Sequence, residues 1–175
     1  SVLIAKDRER ALLQRLYTTP LTPWDFILGY ALPVLPIALA QSAVCYTVAV
    51  LLGLPVTVGI LYALLFSLPV SLIFIAVGLA CGSVLSSKQV GGVCGALLTN
   101  LTAWLSGVWF DLDLVGDGFK TTAGFLPFLH AVELERAVLS GDFAGIFPHI
   151  YWVAGWGAAL LAAAVMLFLK QMKHS

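Results

Sequence analysis

The sequence predicts an all-α protein, a polytopic membrane helix bundle. It is expected to have four transmembrane helices, an amphipathic cytoplasmic helix and an outer re-entrant helical segment. Three observations predict this. Hydrophobic residues make up 61% of the 175-residue chain and charged residues 10%, against roughly 45–50% and about 25% in an ordinary soluble domain. The mean hydropathy is +1.00. The charges are also missing in blocks: no Asp, Glu, Lys or Arg occurs from Phe26 to Ser87, from Gln89 to Phe110, or from Phe143 to Leu169. A spanning helix takes about 20 apolar residues, so the first block holds two spans and each of the others one. This composition excludes a water-soluble enzyme, a disordered chain and a coiled coil. It also leaves no room for a soluble catalytic domain beside the spans. No basic patch with interleaved aromatics exists, so nucleic acid is set aside as a partner, and the lipid bilayer is the expected surround.

The elements follow in chain order. Ser1 to Ala5 is read as the tail of a preceding span (residues 1–5), which makes the chain part of a longer protein. Residues 6–25 form a cytoplasmic interfacial region. Within it Leu12, Leu13, Leu16 and Tyr17 share one side of a helix at i, i+3, i+4 spacing, with Lys6, Arg8, Arg10, Gln14 and Arg15 around the rest. Pro20 ends it by forcing Thr19 out of helical geometry. Thr22-Pro23-Trp24-Asp25 then reads as an N-cap, a first-position proline and a third-position acid. The transmembrane domain (26–175) has spans over about 26–52, 58–82, 89–110 and 147–169. Pro33 and Pro36 are expected to kink or break the first span, and Pro69 to bend the second.

The outer loop covers residues 111–146. Asp111 to Lys120 reads as a turn, and Pro127 to Leu139 as a helix that stops at Ser140-Gly141-Asp142. Phe125-Leu126-Pro127-Phe128-Leu129 is too apolar to rest in water and is expected to dip into the outer leaflet or cap the bundle. Lys6, Arg8, Arg10, Arg15, Lys88, Lys170 and Lys173 fall on one side of this topology, with only Lys120 and Arg136 on the other. By the positive-inside rule both termini are cytoplasmic, in a multi-pass protein of the cell membrane. Trp104, Trp109, Trp152 and Trp156 then gather at the outer boundary.

No phosphate-binding loop, nucleophile elbow or metalloprotease motif is present, so no catalytic residue, metal site or bound cofactor is expected. His130 and Glu133 read as an outward-facing polar pair. Cys45, Cys81 and Cys94 lack a metal-binding or disulfide pattern and read as packing residues. The spans carry no Lys, Arg or carboxylate, which speaks against a proton-driven carrier. Their uncharged polar residues, Gln41, Thr99 and Asn100 among them, are candidates to line a substrate path together with Phe110, or else to bond helix to helix. Gly78, Gly82, Gly91 and Gly95 form two small-residue motifs for close helix packing, within the chain or between protomers.

Three segments carry a resemblance. Asp7-Arg8-Glu9-Arg10-Ala11-Leu12-Leu13-Gln14-Arg15-Leu16-Tyr17-Thr18-Thr19-Pro20-Leu21-Thr22 resembles the E-R-E-x-G-T-L-E-x-L-x-x-T-P segment of ABC type-2 exporter permeases. Leu105-Ser106-Gly107-Val108-Trp109-Phe110-Asp111-Leu112 is similar to their L-S-G-x-x-[FY]-P-[LI], and Leu126-Pro127-Phe128-Leu129-His130-Ala131 to their L-P-x-[TS]-[HY]-[AF]. The chain departs at Ala11 (often Gly), Gln14 (Glu), Tyr30 (frequently Lys) and Asp111 (Pro). The resemblance implies the last four of six spans and a re-entrant element over Leu112 to Leu139. It further implies a coupling element within Arg8 to Pro20 that docks on a separate ATPase, for which Arg8, Glu9, Arg10, Leu13, Leu16, Thr19 and Pro20 are the candidates. ATP and Mg would be bound by that ATPase subunit, and a second permease subunit would complete a homo- or heterodimer.

The expected function is therefore the permease subunit of an ATP-driven exporter, moving an amphiphilic drug or lipid-like substrate. The alternative is an accessory or structural membrane protein that binds a partner without transporting.

Overall fold

The computed structural model describes residues 2–9 and 22–174. Its long elements are α1 (Val2–Glu9), α2 (Pro23–Leu51), α3 (Val58–Val84), α4 (Ser87–Gly92), α5 (Thr99–Leu105), α6 (Asp117–Phe125), α7 (Pro127–Ser140) and α8 (Phe143–His174). A π-helical stretch (Val93–Leu98) joins α4 to α5, and a short 3-10 turn (Leu112–Leu114) precedes α6. There is no strand among the described residues.

Thr22 caps α2 in a reciprocal arrangement. Its hydroxyl accepts from the Asp25 amide, while the Asp25 carboxylate accepts from the Thr22 amide at 2.9 Å, satisfying two otherwise orphan donors. The helix then runs unbroken to Leu51, through Pro33 and Pro36, so the expected break is absent. Both prolines are exposed, and each removes one backbone hydrogen bond from the helix.

α3 and α8 form the central pair. One core lies at the end of the pair near the α2–α3 turn, where Ala63 and Ile73 meet Ala131, Leu134 and Val138 of α7 and Ile146 and Val153 of α8. A second lies at the other end, where Ile4 of α1 joins Ile27, Leu79, Ala164 and Val165. Large apolar side chains such as Leu51, Leu65, Ile37 and Tyr151 point outward, a surface that demands lipid or protein cover.

Among the described residues α2, α3 and α8 are long and apolar enough to cross a membrane. The span expected over 89–110 is different. Its helical run starts at Ser87, where Ser86 and Gln89 form a second capping box, changes to π geometry, and ends at Leu105. Gly91, Gly92 and Gly95 weaken helical preference here, and the Thr99 hydroxyl donates five residues back to the Cys94 carbonyl at 3.1 Å. The stop comes at Gly107, whose φ of +68° lies in the left-handed region that favours glycine. A Cβ there would also stand 3.3 Å from the Leu112 side chain. Phe110 thus lies in the turn and not in a span. The turn expected over 111–120 is likewise shorter, because Gly116, at φ +118°, hands over to helix α6 at Asp117. α7 ends at Gly141 in the left-handed conformation, the glycine stop that its sequence signals.

Candidate functional site

α7 lies against α3 and α8, with α6 packed on α7, and its extent along α3 follows from two contacts. A Cβ on Gly59 would sit 3.3 Å from the Leu139 carbonyl oxygen, so the end of α7 lies against the start of α3. The rings of Phe128 and Phe74 stack at 6.1 Å. Gly59 and Phe74 are about 22 Å apart along α3 at 1.5 Å per residue. α7 therefore runs alongside more than half of α3, with Phe128 at its deep end.

The apolar face of α7 is Pro127, Ala131, Leu134 and Val138, all buried. Glu135 sits on the flank of that face, four residues after Ala131 and three before Val138. It turns toward α2, where the Tyr46 hydroxyl donates to its Oε2 at 3.0 Å. Its other oxygen, Oε1, is buried without a hydrogen-bond partner. Burial pushes this carboxyl up to about 7, against the opposing effect of the Tyr46 hydrogen bond. By sequence Glu135 is one more acid of the outer loop over 111–146. The signal that finds it is its i+4 and i−3 relation to Ala131 and Val138. Glu133, by contrast, faces out and pairs with Arg136 at 2.8 Å.

A cavity of about 430 Å³ opens between α3, α5 and α7. Val70, Phe74 and Phe128 supply apolar wall, and Thr99, Thr102 and Ser106 line the α5 side, with Glu135 and Arg136 on α7. Of the four residues expected on a substrate path, the structure brings only Thr99 here. Gln41 is exposed on α2. Asn100 is exposed and donates to the Ala96 carbonyl of its own helix at 2.7 Å. Phe110 lines a separate polar cavity of about 480 Å³ with Asp111, Lys120, Glu133 and Arg136.

The outward-facing His130–Glu133 pair does not form. His130 instead turns to α8: its Nδ1 lies 2.9 Å from His149 Nδ1, its Nε2 lies 2.9 Å from the Gly124 carbonyl, and its ring stacks on Trp152 at 5.1 Å. A carbonyl only accepts, so Nε2 of His130 carries the hydrogen. In the neutral ring Nδ1 is then the acceptor and His149 Nδ1 the donor. Trp156 adds a bond from Nε1 to the Phe125 carbonyl at 3.1 Å. His149→Phe leaves the His130 Nδ1 acceptor without its donor. It should destabilise the docked hairpin by about 1–3 kcal/mol, read as a lower unfolding temperature in detergent, while Glu133→Gln on the exposed side should change little.

On the other end of the molecule the Tyr30 hydroxyl donates to Asp7 Oδ2 at 2.6 Å, tying α1 to α2. Arg8 and Glu9 belong to α1. Arg10, Leu13, Leu16, Thr19 and Pro20 lie outside the described residues. Gly78 is half-buried and Gly82 buried on α3, whereas Gly91 and Gly95 are exposed, with nothing within 4 Å of an added Cβ. The three cysteines are free thiols. Among the described residues no group of three or more His, Cys, Asp or Glu is placed to hold a metal ion.

A family model described as ABC-2 type transporter matches residues 1–140. Among curated proteins and among solved structures nothing matches.

Proposed function

The chain belongs to the ABC-2 type transporter family, and from that premise we propose that it is the permease subunit of an ATP-driven exporter of amphiphilic drug or lipid-like substrates. The family makes it a transporter membrane domain rather than a catalyst. In our reading ATP and Mg are held by a separate ATPase subunit, and a second permease copy faces this one across the path. Its place is the cell membrane, with both ends of the segment cytoplasmic.

One observation carries the mechanical part: α1 is bonded into the bundle. Ile4 and Ala5 are buried, and Asp7 holds Tyr30 of α2. A push on the Arg8–Pro20 segment therefore reaches a spanning helix through a packed core and a hydrogen bond, and rigid elements in contact are what such transmission requires. The run from Ser87 to Leu105 is the third of four spans in this proposal. Its length is about 28 Å at 1.5 Å per residue, close to a hydrocarbon core of about 30 Å. α6–α7 is the re-entrant element, supported by the depth of Phe128 beside Phe74. Exposed Gly91 and Gly95 would pack against the second permease subunit.

Co-purification tests the reading. The permease should retain an ATPase subunit, and amphiphilic cargo should stimulate its ATP hydrolysis in liposomes. A stably inserted permease that retains no ATPase is the outcome expected of an accessory membrane protein.

A further inference from the structure

Two histidines meet where α7 packs on α8. Both are half-buried, and their Nδ1 atoms lie 2.9 Å apart. The ring centroids are 5.1 Å apart, close to the most that such an N···N contact allows, so the nitrogens face each other nearly head-on. A metal ion needs about 2.0 Å to each nitrogen and does not fit between them. One hydrogen does. The Gly124 carbonyl takes the hydrogen of His130 Nε2 at 2.9 Å, which leaves His130 Nδ1 to accept and His149 Nδ1 to donate. Two added protons then meet different fates. The first goes to Nε2 of His149, and the Nδ1 contact survives as a charge-assisted hydrogen bond. The second can go only to His130 Nδ1, where it sets two N–H groups and two positive charges head-on. Trp152 stacks on His130 at an interplanar angle of 9°, and an aromatic face tolerates a cation, so the obstacle is His149 alone.

We infer that the His130–His149 pair is a proton-operated latch, which holds α7 on α8 while His130 Nδ1 is bare and releases it when that atom is protonated. The latch stands independently of the exporter reading. Released, both rings take protons near the ordinary histidine value of about 6.5, whereas the docked pair takes one. The undocked state therefore binds one more proton below about pH 6, and opening grows about tenfold for each pH unit of acidification. Among the groups around the pair, Glu133 of α7 acts on His149 and is itself paired with Arg136. α3 and α5 carry no Asp, Glu, Lys, Arg or His, α6 carries Asp117 and Lys120, and α8 has no further charge between His149 and Lys170. Glu135 of α7, bonded to Tyr46 of α2, works in the opposite sense. Burial raises its carboxyl to about 7 in the docked helix, so acidification through that range favours docking.

Opening of α7 is read from amide hydrogen exchange over residues 127–140 of the permease in phosphatidylcholine nanodiscs, corrected for the intrinsic pH dependence of exchange. Two variants separate the rings. His130→Gln keeps both bonds, its amide carbonyl accepting from His149 and its NH2 donating to Gly124, yet takes no proton. His149→Gln keeps the donor and leaves His130 titratable. The ratio of wild-type to His130→Gln opening should rise about tenfold per pH unit below about pH 6, and His149→Gln should rise in step with wild type. Glu135 is common to all three proteins and drops out of these ratios. Equal slopes in wild type and His130→Gln would overturn the latch, as would a His149→Gln slope matching that of His130→Gln. Should a variant fail to fold, the ring-nitrogen NMR shifts of the wild type decide instead. His130 Nδ1 should gain its proton over the same pH range in which α7 loses protection. A doubly protonated His130 beneath a still-protected α7, or a neutral His149 carrying its hydrogen on Nε2, would overturn the proposal without any substitution.

Discussion

Replacing both Arg8 and Arg10 with glutamate should uncouple ATP hydrolysis from export. The expected loss of transport is about tenfold or more, in line with coupling free energies of roughly 1–3 kcal/mol, while the partner's basal hydrolysis continues. Lys6, Arg8, Arg10 and Arg15 gather on a short segment ahead of the first long apolar block. The start of that segment, α1, is held by the Ile4–Ile27–Leu79 core and by Asp7 to Tyr30. Reversing two charges next to that anchor changes what docks on the segment without touching the buried residues that anchor it. Export and ATP hydrolysis are measured together in proteoliposomes, with insertion checked separately. Unchanged export by a stably inserted variant would rule the coupling role out.

Leu134→Ala should be the most damaging single truncation in the core where α3, α7 and α8 meet. Leu134 is 0% exposed and sits among Ala63, Ile73, Ile146 and Val153, so α3, α7 and α8 all meet around it. Removing a fully buried leucine side chain from a packed site costs about 2–5 kcal/mol, including the cavity left behind. Leu134→Met, which conserves volume, should cost less than about 1.5 kcal/mol. The expected readouts are a lowered unfolding temperature and faster proteolysis between Gly107 and Gly141, since α7 undocks before the central α3–α8 pair separates. A loss that spreads evenly over the whole chain would instead mean that α7 and the spans unfold as one unit.

The polar cluster where α7 meets α2 and α8 shows how unevenly the site could be read in advance. Thr22 with Asp25, and the stop of α7 at Ser140-Gly141, are local: cap and glycine act within a few residues, and their chemistry is visible in the string. Glu135 was partly legible, because its spacing from Ala131 and Val138 sets it beside an apolar stripe. Its partner was not, since Tyr46 is 89 positions away. The His130–His149 contact spans 19 positions and depends on α7 and α8 packing side by side. His130 and Glu133 looked like a pair because an i, i+3 relation allows one, yet Glu133 had Arg136 at the same spacing on the solvent side. The third apolar block misled for a different reason. Hydropathy counts Val108, Trp109 and Phe110 as span, whereas the left-handed φ at Gly107 and the closeness of Leu112 end the helix before them.

Composition and charge placement alone determined that this chain is a set of long apolar helices of the membrane type, because a charge or an unpaired peptide group in hydrocarbon is too costly to leave any other arrangement. Its motifs determined the family. Only the tertiary structure decided which polar groups are buried, which helix ends early and where a cavity opens between α3, α5 and α7. Those outcomes depend on side chains far apart in sequence meeting across packed helices, and no local pattern encodes that meeting.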